Sequence, residues 1–234
     1  MNAETASISK ELKEFALSLG ASKAAFADLR PYAEDIAKLY GDRWDEYPYA
    51  VSIAMNLPSA VVREIASKGP TETYAQYYET ANAMLDFITL RISDWLETRG
   101  FSAFPIPATE RLNTKDELHE IFSNRAAAHL AGLGWIGRSC CLITPDRGPM
   151  QRLATILTDA PLECGTPMES RCGSCEQCVK ACPPGALTGK KWEPGQDISE
   201  RLDAARCNAH LKSNVKVYGE YVCGYCVSVC PWGK

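Results

Sequence analysis

The spacing of cysteines constrains this chain more than any other feature. Eight of its eleven cysteines lie between Cys172 and Cys230. They form two groups. One is Cys172-x2-Cys175-x2-Cys178-x3-Cys182, followed by Pro183; the other is Cys207 with Cys223-x2-Cys226-x3-Cys230, followed by Pro231. The first run has the C-x2-C-x2-C-x3-C-P spacing that holds 4Fe–4S clusters. Two residues between thiolates let one tight turn present neighbouring sulfurs to adjacent irons. The longer step and the proline carry the fourth cysteine away, and in two-cluster ferredoxins that cysteine ligates the other cluster. The spacing therefore assigns Cys172, Cys175, Cys178 and Cys230 to cluster 1, and Cys182, Cys207, Cys223 and Cys226 to cluster 2. The second group lacks one closely spaced cysteine, and Cys207, sixteen residues before Cys223, replaces it. Zinc sites also use C-x2-C pairs, but zinc needs four ligands in two pairs, not two quartets each ending in Cys-Pro. Disulfides need an oxidising compartment, which nothing in the sequence suggests. A cluster signature identifies electron traffic and leaves the substrate open.

The 234 residues are 46% hydrophobic, enough for one large or two small domains with a sizeable core. Residues 1–5 are polar, carry Glu4 and precede an amphipathic segment, so no signal peptide is expected. No apolar run of about 18 residues occurs, so no membrane span is expected. With this many cysteines, the pattern predicts metal ligation in a reducing, cytoplasmic setting. The formal charge is −4. Two oxidised clusters with their thiolates would bring it to about −8, which gives no global attraction to nucleic acid.

Read in order, Ile8, Leu12, Phe15, Ala16 and Leu19 recur at helical spacing, and Gly20 stands where a C-terminal cap belongs. Residues 22–29 read as a short strand, and 31–47 as a loop with a helical turn. Residues 49–57 form the best strand of the first half, bounded by Pro48 and Pro58. Ser59 is a candidate cap for a helix that Gly69 ends. Residues 72–99 carry the longest helical pattern. Its stripe of Tyr74, Tyr77, Tyr78, Met84, Leu85 and Ile88 reads first as core packing, with a tyrosine facing a ligand as the sharper alternative. Further strands are expected at 101–106, 141–144 and 153–157, a helix capped by Ser123 at 124–131, and a charged surface at 113–120. The alternation predicts an α/β (α+β) N-terminal domain over 1–163. A ferredoxin-like domain carrying both clusters follows over 164–234, with a short helix after each Cys-Pro pair.

Gly132-Leu133-Gly134-Trp135-Ile136-Gly137 matches G-x-G-x-x-G. A dinucleotide fingerprint follows a strand and opens a helix. Here a helix precedes and a strand follows, which argues against nicotinamide or flavin dinucleotides. The glycines then mark either a tight turn or a place where backbone approaches a bulky group.

Residues 131–144 (AGLGWIGRSCCLIT), residues 154–162 (ATILTDAPL) and the double-cluster run down to Cys230-Pro231-Trp232-Gly233-Lys234 resemble epoxyqueuosine reductase. That family comprises cobalamin-dependent iron–sulfur oxidoreductases related to reductive dehalogenases. The resemblance covers most of the chain and is specific from about Arg125 onward. It implies that the N-terminal domain holds a corrinoid, with Gly132, Gly134, Trp135 and Gly137 in a loop against the corrin ring. It also implies two 4Fe–4S clusters charged by a low-potential donor of ferredoxin or flavodoxin type. The cofactor carries the hard chemistry, removing an oxygen or halogen from a small-molecule or nucleoside substrate. A tRNA is a further candidate partner that the net charge does not favour.

The chain departs from the family pattern in three places. The family's proton-donating aspartate lies thirteen residues before the alanine of the glycine motif, and that count lands on Leu118. Asp116, Glu117, His119 and Glu120 surround it. His119 is the best substitute because imidazole titrates near neutrality; a solvated charged run is the plainer account. The helical repeats that help such enzymes hold tRNA are not expected after Lys234. Arg138-Ser139-Cys140-Cys141 stands where Lys-Asn/His-Thr is usual. Cys140, Cys141 and Cys164 lie outside the cluster motifs and read as inert buried thiols, with a redox or ligand-facing role for Cys140 or Cys141 as the alternative. Two functions follow: a reductase that passes electrons through its clusters to a corrinoid, or a ferredoxin-like electron-transfer protein without cobalamin that serves a partner enzyme.

Overall fold

The computed structural model describes residues 3–109 and 120–233. At its centre is a four-stranded sheet of β1 (Lys23–Asp28), β2 (Tyr49–Asn56), β3 (Ala103–Ile106) and β6 (Gln151–Thr158), in the order β1-β2-β6-β3. Every pairing is antiparallel, with Val51 opposite Ile156 and Ile53 opposite Ala154 at the middle. The α/β (α+β) expectation holds, and with every strand pairing antiparallel the arrangement is α+β. The reason is topological. β1 and β2 are sequence neighbours that pair directly, whereas β6 enters between β2 and β3 from far along the chain.

Alternate residues divide the sheet into two buried faces. Phe26, Val51, Ile53, Ala154 and Ile156 meet Leu12 and Ala16 of α1 (Ala3–Ser18) and Leu85, Ile88, Ile92 and Leu96 of α4 (Glu72–Glu97). On the other face, Ala27, Ala50 and Leu157 pack with Trp44, Phe122 and α5 (Asn124–Leu130). Burial on both faces explains why β2 and β6 read as continuous apolar runs. Thr71 caps α4 by accepting from Tyr74 N at 3.2 Å, and Ser123 caps α5 by accepting from Ala126 N at 3.3 Å.

Several local expectations shift. The 31–47 segment contains a full helix, α2 (Ala33–Tyr40), flanked by 3-10 turns at Arg30–Tyr32 and Asp42–Trp44. Ser59 is the first residue of α3 (Ser59–Lys68), behind a Pro58 cap that makes no side-chain bond. The α4 stripe splits: Tyr74, Leu85 and Ile88 are buried, while Tyr77 and Met84 face outward. Trp135–Ile136 forms an unanticipated β4 that pairs with β5 (Leu142–Ile143).

The cysteine-rich segment carries α6 (Gln177–Lys180), α7 (Ala204–Tyr218) and α8 (Tyr225–Ser228). Its short helices α6 and α8 precede the Cys-Pro pairs instead of following them. Each proline lacks an N–H donor, so the preceding helical turn closes before it; after Pro231 only a 3-10 turn, Pro231–Gly233, continues. Val222, Tyr225 and Val227 pack onto Val62, Ile65 and Tyr74, which attaches this segment to α3 and α4. Gly165 N donates to Phe26 O at 2.9 Å, and Glu163 N to Ser9 Oγ at 2.7 Å. Among the described residues no helix is long and apolar enough to cross a membrane.

Ile156 is fully buried on a central strand, so Ile156→Ala should cost about 2–5 kcal/mol through lost burial and the cavity left behind. A drop in the thermal unfolding midpoint checks it, and an unchanged midpoint would contradict this picture of the core.

Candidate functional site

Cysteines of the two motifs lie on and beside the helices of this segment. Cys178 lies on α6, Cys226 on α8 and Cys207 on α7. The sulfurs influence one another within and across the two groups, with Cys141 among them. Cys178 feels Cys172 and Cys230, and Cys230 feels Cys172 and Cys175. Cys207 feels Cys223 and Cys182, and Cys223 feels Cys182. Cys226 stands between the groups, in reach of both Cys223 and Cys178. Burial pushes the Cys178 thiol up to about 12 and those of Cys207 and Cys230 to about 11. At neutral pH such sulfurs remain protonated unless a cation stabilises the thiolate, as iron ligation does. The donor set, eight soft sulfurs in two groups, suits iron–sulfur clusters. Ala186 N also donates to Cys182 Sγ at 3.3 Å, the kind of contact that tunes a cluster ligand.

The glycine loop that precedes these cysteines is held by backbone contacts. A Cβ at Gly134 would overlap the Ile143 carbonyl. Gly132 has φ +76°, and a Cβ there would lie 2.7 Å from Thr166 O. At Gly137 the same position is 3.4 Å from Cys172 Sγ, so the loop abuts the first cysteine group. His129, held neutral by burial, places Nδ1 3.0 Å from Gly134 O and ties α5 to the loop. Trp135 is buried and meets the edge of Trp232 at 4.8 Å between ring centroids. Arg138 donates to Gly189 O and, at 2.9 Å, to Gly173 O. The helix–loop–strand order of this segment is not that of a dinucleotide site.

A cavity of about 530 Å3 opens between the α+β unit and the cysteine-rich segment. Its size falls in the range of small-molecule and cofactor pockets. Cys182, Cys207, Cys223 and Cys226 all line it. Facing them are Tyr74 and Tyr78 of α4, Leu142, Leu153 and Arg152. The Arg152 guanidinium lies 4.2 Å from the centre of the Tyr78 ring and donates to Asn82 Oδ1 at 2.8 Å. Burial raises the Tyr74 phenol far above its ordinary value, so it stays protonated. Asn124 Oδ1 and His210 Nε2, on residues lining the cavity, are buried without a protein partner. Glu120, Arg125, Cys140 and Leu202 are shared with a second cavity of about 250 Å3.

Gly132, Gly134, Trp135 and Gly137 do not line the larger cavity. The residues that follow them, Ser139, Cys140, Cys141 and Leu142, do. His119 lies outside the described residues, as do Asp116, Glu117 and Leu118; Glu120 lines both cavities. Sequence reading passed over Arg125, Arg152 and His210. Each is a single polar residue in a helix or strand, and only convergence in space distinguishes it from surface.

A sequence profile of the 4Fe-4S double cluster binding domain matches residues 171–233. Epoxyqueuosine reductase of Bacillus anthracis is 35% identical over 125 residues, 48% of this chain and 30% of that protein. That of Bacillus subtilis strain 168 is 37% identical over 125 residues, 48% of this chain and 29% of that protein. The solved epoxyqueuosine reductase from Bacillus subtilis superposes with a TM-score of 0.61 at 25% identity, covering 98% of this chain and 66% of that one. A reductive dehalogenase whose structure suggests a mechanism for B12-dependent dehalogenation shares the fold, with a TM-score of 0.71 at 21% identity over 95% of this chain and 31% of that one. The chain thus spans under a third of the curated relatives in alignment, and about two thirds of the solved reductase. The resemblance to epoxyqueuosine reductases and the double-cluster domain, both read from the sequence, are borne out.

Gly134→Ala should lower the thermal midpoint by the equivalent of about 1–3 kcal/mol or more, because neither backbone can yield without distorting the other. An unaltered midpoint would show that the 132–137 loop does not pack this closely.

Proposed function

We propose that this chain is a reductase that passes electrons through two 4Fe–4S clusters into the larger cavity, where a corrinoid and a small-molecule or nucleoside substrate meet. The observation that carries this reading is the cavity itself, walled on one side by four cysteines and on the other by aromatic and apolar residues of the α+β unit. Cys172, Cys175, Cys178 and Cys230 hold cluster 1; Cys182, Cys207, Cys223 and Cys226 hold cluster 2, next to the cavity. The spacing of the two cysteine motifs supports this division. The unit over residues 1–163 provides the cofactor chamber, and residues 164–234 provide the clusters.

The residues around the cavity fit a corrinoid. Asn124 Oδ1 and His210 Nε2 await partners, and the amide rim of a corrinoid offers both donors and acceptors. The adjoining smaller cavity extends the space available. When bound, such a cofactor supplies a strongly reducing cobalt centre able to remove an oxygen or halogen substituent. Tyr74, Tyr78 and Leu153 orient the ligand and exclude water, and the 132–137 loop braces the 139–142 wall from behind. His119, next in sequence to the cavity-lining Glu120, is the candidate proton donor. The substrate class follows from the similarity to epoxyqueuosine reductases, and a tRNA-borne nucleoside falls within it. A low-potential ferredoxin or flavodoxin reduces cluster 1.

Anaerobically prepared protein with eight irons should retain one equivalent of cobalt after titration with cobalamin and desalting. No retained cobalt would overturn the corrinoid reading and leave a two-cluster electron carrier for a partner enzyme. Cys178→Ala should retain about four irons per chain; retention of eight would refute the ligand assignment.

A further inference from the structure

The smaller cavity, about 250 Å3, is lined by α2, the first turn of α5 and residues between Trp192 and Ala204. Arg201 is part of that lining. At 5% exposure it is the one Arg, Lys, Asp or Glu side chain that is fully buried among the described residues. Its Nη1 reaches Cys140 Sγ at 3.6 Å. Its Nε has no partner, and its Nη2 makes no hydrogen bond among the described residues. Arginine is almost never fully buried unless paired, because an uncompensated guanidinium in the interior is costly. The carboxylates nearby are committed elsewhere. Glu120 pairs with Arg125, and Asp197 Oδ1 accepts from Ser199 N at 2.7 Å. A Cβ at Gly195 would overlap Asp35 Oδ1, so that carboxylate lies against the Gly195 backbone. Glu200 accepts from Gln196 Nε2 at 3.3 Å and lies 3.7 Å from Lys190 Nζ.

Nε and Nη2 form the edge of a guanidinium that grips a carboxylate through two parallel hydrogen bonds. Arg30 does this in the same chain, its Nε and Nη2 donating to Asp28 at 2.8 and 2.7 Å. At Arg201 that edge has no carboxylate from the described residues. A second unmet polar atom belongs to the same cavity lining: Gln196 Oε1 is buried and without a partner. Its identity as the oxygen follows from chemistry. The Glu200 carboxylate only accepts, so the amide nitrogen faces it and the oxygen is left over. The remaining lining includes Ile36, Tyr40, Leu130 and Trp192, and the Trp192 ring meets His129 edge-on at 4.7 Å between centroids. We propose that the smaller cavity binds a small organic carboxylate, with Arg201 Nε and Nη2 donating to its two oxygens and the aromatic wall covering an apolar body. Gln196 Oε1 then accepts from an N–H or O–H elsewhere on the ligand. The volume lies below the range of about 300–1,000 Å3 that holds drug-sized ligands, so the ligand is about one ring in size. The walls shared with the larger cavity, at Glu120, Arg125, Cys140 and Leu202, place it beside that chamber. This site goes beyond the reductase reading, and its recognition chemistry needs neither clusters nor corrinoid.

The test is calorimetric titration of the anaerobically prepared, iron-loaded protein with benzoate and with benzamide, its neutral isostere. Benzoate should bind saturably at one site, and benzamide about tenfold more weakly or worse, from the worth of hydrogen bonds between charged groups. Arg201→Gln should weaken benzoate about tenfold or more and leave benzamide unchanged. Arg201→Lys keeps the charge without the fork and should recover only part of the loss. Four results overturn the site: no saturable benzoate binding, equal affinity for benzoate and benzamide, a folded Arg201→Gln protein that binds benzoate like the parent, or displacement of benzoate by chloride at matched concentration. If neither Arg201 variant folds, Trp192→Ala decides: weaker benzoate binding supports the site, and unchanged affinity overturns it. No step involves cobalamin, so this outcome is separate from that of the cobalt titration.

Discussion

The contact on which this architecture depends is backbone against backbone. Gly134 lies against the Ile143 carbonyl, and Gly132 against Thr166. No side chain separates these segments, so their spacing is set by van der Waals radii and does not adjust to rotamers. That rigidity is transmitted in two directions. Toward the cysteines, the loop ends at Gly137 beside Cys172. Toward the cavity, it continues into the turn through Cys140 and Cys141 and the short strand Leu142–Ile143. His129 and Trp135 reinforce the same junction, one by a hydrogen bond to Gly134 O and the other by its ring contact with Trp232 near the end of the described chain.

Around this junction, charge is placed where the interior would ordinarily reject it. Half-buried thiols at Cys178, Cys207 and Cys230 resist ionisation, while Arg201 is buried and makes no ion pair among the described residues. A thiolate-bound iron cluster resolves the first difficulty by supplying cations to the sulfurs, which couples the folding of this segment to metal. The guanidiniums of Arg125 and Arg201 in turn both reach Cys140, one at its carbonyl and the other at its sulfur, and Arg125 also pairs with Glu120.

Much of the secondary structure was legible because its determinants are local. Ser123 caps α5 with its own hydroxyl, and Gly20 follows α1 with a positive φ. The strand at 49–57 was bounded by prolines in the sequence and is so bounded in the fold. Misreadings arose where local signals were ambiguous or misdirected. The tyrosines of α4 share one periodic stripe, yet Tyr74 is buried at the cavity wall and Tyr77 is exposed. Strand order could not be read at all, since β6 pairs with β2 across about a hundred intervening residues. The Arg125, Arg152 and His210 side chains carry no motif, so their convergence on one cavity became visible only in three dimensions.

By itself the sequence announced a double 4Fe–4S cluster domain, because ligand steps of two and three residues are short enough for a turn to enforce. It also determined that residues 132–137 need glycine, without saying what approaches them. Only the tertiary structure decided that the approaching group is the protein's own backbone at Ile143 and Thr166. It likewise decided that the second cysteine group faces a cavity whose lining Cys141 shares. The division has one physical reason. Short-range geometry is encoded residue by residue, whereas contacts between distant segments depend on how the sheet, its two layers of helices and the cysteine-rich segment pack together.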